Sequence, residues 1–262
     1  MSRACTRPGL LAHVLVSKYC DHTPLYRQSQ IFARHGVEID RSTLANWVGG
    51  ACWWLEPLQA RLAKHVFGSG KVFADDTPIP VLDLGRGSTK MGRLWVYTRD
   101  DRPWSGTDPP AAVYFYSADR KAERPASHLE QFRGILQVDG YAGFERLTAG
   151  GDIVLAACWA HTRRKFYDLH EATGSPIAAE ALRRISELYA IALGRKNHLF
   201  AGSDGGGARW ATVCSLIATA RLNDVEPFAY LKGVLERMTD GHPMSRLDEL
   251  LPWNWPKTHV NH

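Results

Sequence analysis

Residues 71–82 read KVFADDTPIPVL, and the two acids in the middle decide how the chain is understood. Val72, Phe73, Ile79 and Val81 give the stretch the apolar texture of a β-strand. Asp75 and Asp76 break it, because Asp is disfavoured in strands and costly to bury unpaired. Residues 93–99 (RLWVYTR) and 111–117 (AAVYFYS) have the same β-branched and aromatic texture and are bounded by Gly, Pro and Asp clusters. Together the three runs predict three strands joined by hairpin loops. Residues 84–90 (LGRGSTK) look superficially like a phosphate loop, but their glycine spacing is wrong and they join two strands, so a hairpin turn is expected.

Further along, the pattern alternates. A helix is expected over 126–133, a strand over 135–138, a short helix over 141–147, a strand over 153–157 and a longer helix from about residue 160. Three consecutive strands followed by alternating helix and strand is the order of an α/β, ribonuclease-H-like mixed sheet with flanking helices. Asp139 repeats the oddity of Asp75, since it ends the apolar run Ile135-Leu136-Gln137-Val138 at a glycine. Carboxylates on adjacent central strands can converge on divalent metal ions, the arrangement by which nucleases and polymerases activate phosphodiester chemistry. The competing reading makes Asp139-Gly140 a turn and Asp75-Asp76 a bulge or edge.

Upstream, residues 1–66 are helical in pattern. Leu10, Leu11, Val14 and Leu15 follow the helical period, Pro24 can open a second helix through His35, and Gly36 breaks it. A third helix is expected over 42–48, capped by Asp40 or Ser42. Helix, Gly-containing turn, helix is the helix-turn-helix pattern, with Arg41, Ser42, Thr43 and Asn46 as groove-facing candidates. An ordinary helical hairpin is the alternative. The last third is helical again: an apolar stripe runs through Ile185, Leu188, Tyr189, Ala192 and Leu193. Residues 202–207 (GSDGGG) read as a flexible turn, residues 210–222 as an amphipathic helix, and residues 256–262 as a polar tail.

The bulk numbers agree with this picture. Of 32 basic residues 23 are Arg, and the net charge is +5 over 262 residues. The rigid guanidinium fork suits phosphate, so the skew points weakly to a polyanion. An apolar fraction of 45% excludes wholesale disorder, and no run is long enough to span a membrane. Five scattered cysteines read as reduced thiols in a cytoplasmic protein. Cys158 and His161 have zinc-compatible spacing but lack a second pair, so Cys158 is expected to end a strand and His161 to begin the next helix. The basic run Arg163-Arg164-Lys165 in that helix is either a phosphate clamp or a solvated face.

Whole phrases carry a resemblance. LLAHVLVSKYCDHTPLYRQSQIFARHGVEIDRSTLANWVG, FADDTPIPVLDLGRGSTKMGRLWVYTRDDRPW, GILQVDGYAGFERL and CWAHTRRKFYDLHEA resemble the central region of insertion-sequence-66 family transposases. IALGRKNHLFAGSDGGGARWATVCSLIATARLNDVEPFAYL and GHPMSRLDELLPW resemble that family's C-terminal element. The resemblance implies a DDE transposase with a ribonuclease-H-like core, Mg²⁺ or Mn²⁺ in a two-metal site, and transposon-end and target DNA as partners. It also implies association with further copies or with intact transposase. It places the catalytic, metal-holding aspartates at Asp75 and Asp139, with Asp76 where the family has Glu, and leaves phosphate positioning to Arg163, Arg164, Lys165, Arg195 and Lys196. It divides the chain into a helical DNA-binding segment (1–66), a catalytic core (67–190), the C-terminal element (191–255) and the tail. Relatives usually carry a helical, metal-binding portion before the matched region. The family's catalytic glutamate belongs in a phrase like N-N-x-x-E-R-x-I-R-P, upstream of ALGRKNHLFAGS. Here RRISELYA, residues 183–190, runs directly into IALGRKNHLFAGS. The third acid is therefore expected to be missing and catalysis impaired, with Asp168, Glu171, Glu180 and Glu187 the only nearby substitutes.

Overall fold

A computed structural model describes residues 7–83, 88–188 and 203–257, with only the backbone described at 159 and 186–188. Three helices come first: α1 (Pro8–Tyr19), α2 (Leu25–Arg34) and α3 (Arg41–Phe67). Then follow β1 (Lys71–Asp83), β2 (Ser88–Arg99), β3 (Ala111–Ser117), α4 (Glu123–His128), β4 (Gly134–Val138), β5 (Ile153–Ala157), α5 (Trp159–Thr173) and α6 (Pro176–Leu188). The chain closes with α7 (Asp204–Leu222) and α8 (Pro227–Thr239).

The five strands form one mixed sheet in the order β3-β2-β1-β4-β5. β1, β2 and β3 pair antiparallel, whereas β4 runs parallel to β1 and β5 parallel to β4. Asp83 pairs with Ser88, so residues 84–87, which lie outside the described residues, connect antiparallel strands as expected of a hairpin. On one face Val72, Ala74, Trp95, Tyr97, Val113, Leu136 and Val138 pack with Leu129, Phe132 and Phe144. On the other, Ile79, Val81 and Leu94 share a core with α1, α3, α7 and α8. The N-terminal helices, the sheet and the C-terminal helices are thus joined through that second core.

The free edge of β3 is closed by side chains. Ala112 N–H donates to Thr219 Oγ1 (3.1 Å) and Tyr114 N–H to Ser215 Oγ (2.9 Å), both on α7, while Gln59 Nε2 of α3 donates to Tyr114 O (2.7 Å). These hydroxyls and amide satisfy a ladder that would otherwise recruit another strand.

Four local expectations are corrected. The third helix does not stop near Val48 but runs 27 residues. Its buried stripe Leu44, Val48, Cys52, Leu55, Leu58, Leu62 and Val66 continues through Gly49-Gly50, so tertiary burial overrides the weak helix propensity of glycine. Gly49 lets the Arg209 guanidinium lie against the helix, where a Cβ would be only 3.0 Å from it. Residues 203–207 are no loose turn: Ser203 Oγ accepts from Gly206 N–H and caps α7, and a Cβ at Gly207 would strike the Tyr116 ring. α7 is also buried nearly all round, from Trp210 to Ala220, and is not amphipathic. Finally α4 spans Glu123–His128 and not 126–133, because Pro125 is tolerated in a first helical turn.

Candidate metal and nucleic-acid site

β1 and β4 are parallel neighbours with Phe73 opposite Gln137. Two residues further along each strand direction are Asp75 and Asp139, which the two-residue side-chain period places on the same face. Asp139 follows the last residue of β4, where the strand gives way to Gly140. Asp75, Asp76 and Asp139 each offer a carboxylate oxygen within 4.8 Å of the others. Asp75 and Asp139 line a cleft of about 150 Å³ together with Phe73, Gln137, Cys158 and His161. The Asp75 carboxyl is held above the usual carboxylate range, mainly by burial and also by the neighbouring carboxylates of Asp139 and Asp76. A cation would relieve that repulsion, so the oxygen donors suit a hard divalent ion such as Mg²⁺ or Mn²⁺.

Asp76 behaves differently. Its side chain is 1% exposed and is gripped by Arg93 Nη1 (2.8 Å) and Arg120 Nη2 (2.7 Å). Arg120 Nε also donates to both Asp76 oxygens at 3.1 Å. This carboxylate is therefore committed to guanidinium groups, and the two carboxylates left for an ion are those of Asp75 and Asp139. Asp75 Oδ1 accepts the Asp76 backbone N–H at 2.8 Å, and Asp139 Oδ1 accepts that of Tyr141 at 3.1 Å.

As expected, β5 ends just before Cys158 and His161 sits in the first turn of α5. Both face the acidic cleft, and the buried His161 Nδ1 has no hydrogen-bond partner. Among the described residues no other acid joins the cluster, so Asp168, Glu171 and Glu180 do not supply a third carboxylate. Asp168 lies seven residues beyond His161 along α5, or about 10 Å at the helical rise. Of the basic run, all exposed, Lys165 reaches the site edge, its Nζ 3.4 Å from where a Gly140 Cβ would be. Arg195, Lys196 and the side chain of Glu187 lie outside the described residues.

In the N-terminal helices, Arg41, Ser42 and Asn46 are exposed on the first turns of α3 and Thr43 is half-buried. The turn before them is stitched by Ser29 Oγ donating to Ile39 O (2.6 Å), with Gly36 at φ +78°. Sequence reasoning did not reach Arg93, Arg120 or Tyr141. Arg120 is 44 residues from Asp76, and no local spacing links them.

Residues 3–192 match the family described as Transposase IS66 family, and residues 215–253 match the IS66 C-terminal element. The chain belongs to the IS66 transposase family. Among its relatives are three proteins of Sinorhizobium fredii (strain NBRC 101917 / NGR234), each bearing only the description uncharacterized protein. The protein y4qI is 36% identical over 334 positions, covering 94% of this chain and 62% of the relative. The protein y4jD is 34% identical over 340 positions, covering 96% and 66%, and y4hP is 34% identical over 347 positions, covering 95% and 62%. The chain thus spans 62–66% of the length of these relatives. The match to y4jD is 340 positions long, yet 96% of 262 residues is about 251, so about 90 positions inside the matched region have no counterpart here. Among the described residues no helix is long and apolar enough to cross a membrane, and Cys20, Cys52, Cys158 and Cys214 are free thiols.

Proposed function

We propose that the chain is a DNA-binding, DDE-type transposase-like protein of the cytoplasm with a ribonuclease-H-like core and impaired strand-transfer activity. The sheet order β3-β2-β1-β4-β5, with β1–β3 antiparallel and β4 and β5 parallel, supports that core. The observation that carries the functional reading is the meeting of Asp75 and Asp139 on neighbouring parallel strands with no third free carboxylate beside them among the described residues. These two residues would hold Mg²⁺ or Mn²⁺. Such an ion, when bound, supplies Lewis-acid activation of the attacking oxygen and stabilisation of the leaving oxygen in phosphodiester cleavage. The chain's own residues bind and orient: Lys165 and its neighbours Arg163 and Arg164 meet phosphate at the cleft, and Arg41, Ser42, Thr43 and Asn46 meet the major groove if α2 and α3 act as a helix-turn-helix. Arg195 and Lys196 add charge next to the segment where the family's glutamate phrase would enter, at the Ala190–Ile191 join. A missing block of about 90 positions, as against y4jD, is long enough to contain that phrase.

The same gap favours a second reading, a non-catalytic remnant that occupies transposon ends or joins the oligomers of intact transposase. One experiment separates the two. Purified protein is incubated with transposon-end DNA and Mg²⁺ or Mn²⁺, with Asp75→Ala as control, and binding and cleavage are scored separately. Binding with weak, Asp75-dependent nicking supports the impaired enzyme, and binding without nicking supports the remnant. Absence of DNA binding refutes both.

A further inference from the structure

Arg120 lies between β3 and α4, outside every motif that the sequence offers, yet it reaches Asp76, Asp139 and Tyr141 at the acidic cleft. Its Nε and Nη2 take both oxygens of Asp76 at 2.7–3.1 Å. Its Nη2 also stands 3.6 Å from Asp139 Oδ2. Its guanidinium lies over the Tyr141 ring, 4.1 Å from the centroid, and its backbone carbonyl accepts the Tyr141 hydroxyl. Tyr141 in turn donates its backbone N–H to Asp139 Oδ1 at 3.1 Å. Arg120, Tyr141 and Asp139 at the end of β4 thus form a closed circuit, which Arg120 anchors to Asp76 on β1.

We propose that Arg120 is a positioning residue that, anchored on Asp76, sets the carboxylate of Asp139 beside that of Asp75. Three carboxylates within 4.8 Å would otherwise repel one another, and the short loop after β4 would be free to carry Asp139 away. The guanidinium suits this task because its planar fork engages Asp76 through two nitrogens while its face stacks on Tyr141. A lysine ammonium keeps the charge but has neither fork nor face. Arg93, 21% exposed and bonded to the same Asp76, fixes the anchor from β2. The inference rests on Asp75 and Asp139 being the metal-holding pair, but the position of Asp139 can be measured without any metal.

The test is amide hydrogen exchange by NMR on the metal-free full chain, comparing wild type with Arg120→Lys and Arg120→Gln. The Tyr141 amide reports directly on the Asp139 carboxylate, and the Trp95 amide in the sheet centre reports global opening. Loss of the circuit accelerates Tyr141 exchange about tenfold or more while Trp95 is unchanged. Unchanged Tyr141 exchange in either folded variant overturns the proposal, and Arg120→Lys remains the test if Arg120→Gln does not fold. A second arm measures Mn²⁺ affinity by electron paramagnetic resonance. About tenfold weaker binding in Arg120→Lys, at wild-type thermal stability, is the expected result for a displaced ligand. Equal or tighter binding contradicts it, the latter by showing that Arg120 competes with the ion. If wild type binds no Mn²⁺, the metal reading of the cleft fails by itself, and the exchange arm still decides the role of Arg120.

Discussion

Asp76→Ala removes the anchor of the cleft without touching Asp75 or Asp139. The deleted carboxylate is 1% exposed and holds Arg93 at 2.8 Å and Arg120 at 2.7 Å. Stripping one partner from a buried ion pair costs about 3–5 kcal/mol, because the remaining charge loses its compensation. Arg93 and Arg120 are 21% and 36% exposed, so both can turn partly into water. That relief lowers the expected loss to about 2–3 kcal/mol, toward the range of exposed pairs. For a chain of this size the melting temperature should fall by about 4–12 °C. Asp76→Glu, which restores the family's residue, keeps the charge and should lose far less. Urea unfolding followed by tryptophan fluorescence measures both variants against wild type. A loss below about 1 kcal/mol for Asp76→Ala, with an unchanged m-value, refutes the argument that this carboxylate is an energetic anchor.

Three further outcomes follow from the same geometry. His128 is half-buried against Phe115 (4.5 Å between rings), with its pKa lowered to about 4 by desolvation and by Arg124. The unfolded chain, titrating near 6.5, binds the extra proton first, so stability falls as pH drops from about 6.5 to about 4. The total loss is about 3 kcal/mol and is absent in His128→Gln, as thermal unfolding across that range would show. The Asp75 carboxyl is raised above 3.8, chiefly by burial, so the native state holds its proton longer and stability declines as pH rises through that window. Metal-free Asp75→Asn should therefore melt higher than wild type at pH 7 and lose that advantage well below 3.8. Arg41→Ala with Asn46→Ala should weaken DNA binding and lower the slope of log affinity against log salt by about one, and an unchanged titration would remove α3 from the interface.

Much of the sheet was legible because its strands carry β-branched and aromatic runs between turn residues, and residues 111–117 and 153–157 match the observed strands to the residue. Asp75 and Asp139 stood out because a carboxylate within or at the end of an apolar strand is anomalous wherever it occurs. Less was readable where long-range packing overrides local propensity. The third helix was expected to span only 42–48, but burial against α7 carries α3 onward through Gly49-Gly50. The glycines at 205–207 looked like a turn, yet they open α7, and the bare Cα of Gly207 admits the Tyr116 ring against that helix. Asp76 stood out in the sequence only as an anomalous strand acid and as an Asp where the resemblance implies Glu. Its weight comes from Arg93 and Arg120, whose sequence distances of 17 and 44 residues no periodicity encodes. His161 was foreseen as a helix starter, but its buried, unpartnered Nδ1 in the acidic cleft is visible only once β5 is placed beside β4.

The proposed function requires a DNA-binding fold, metal-holding carboxylates at Asp75 and Asp139, and no third free acid beside them among the described residues. A cleavage and strand-transfer assay on transposon-end DNA with Mn²⁺, alongside Asp75→Ala, tests it most directly. Salt-sensitive DNA binding with little or no strand transfer is expected in both proteins. Robust cleavage and transfer by the wild-type chain, abolished by Asp75→Ala, would contradict it.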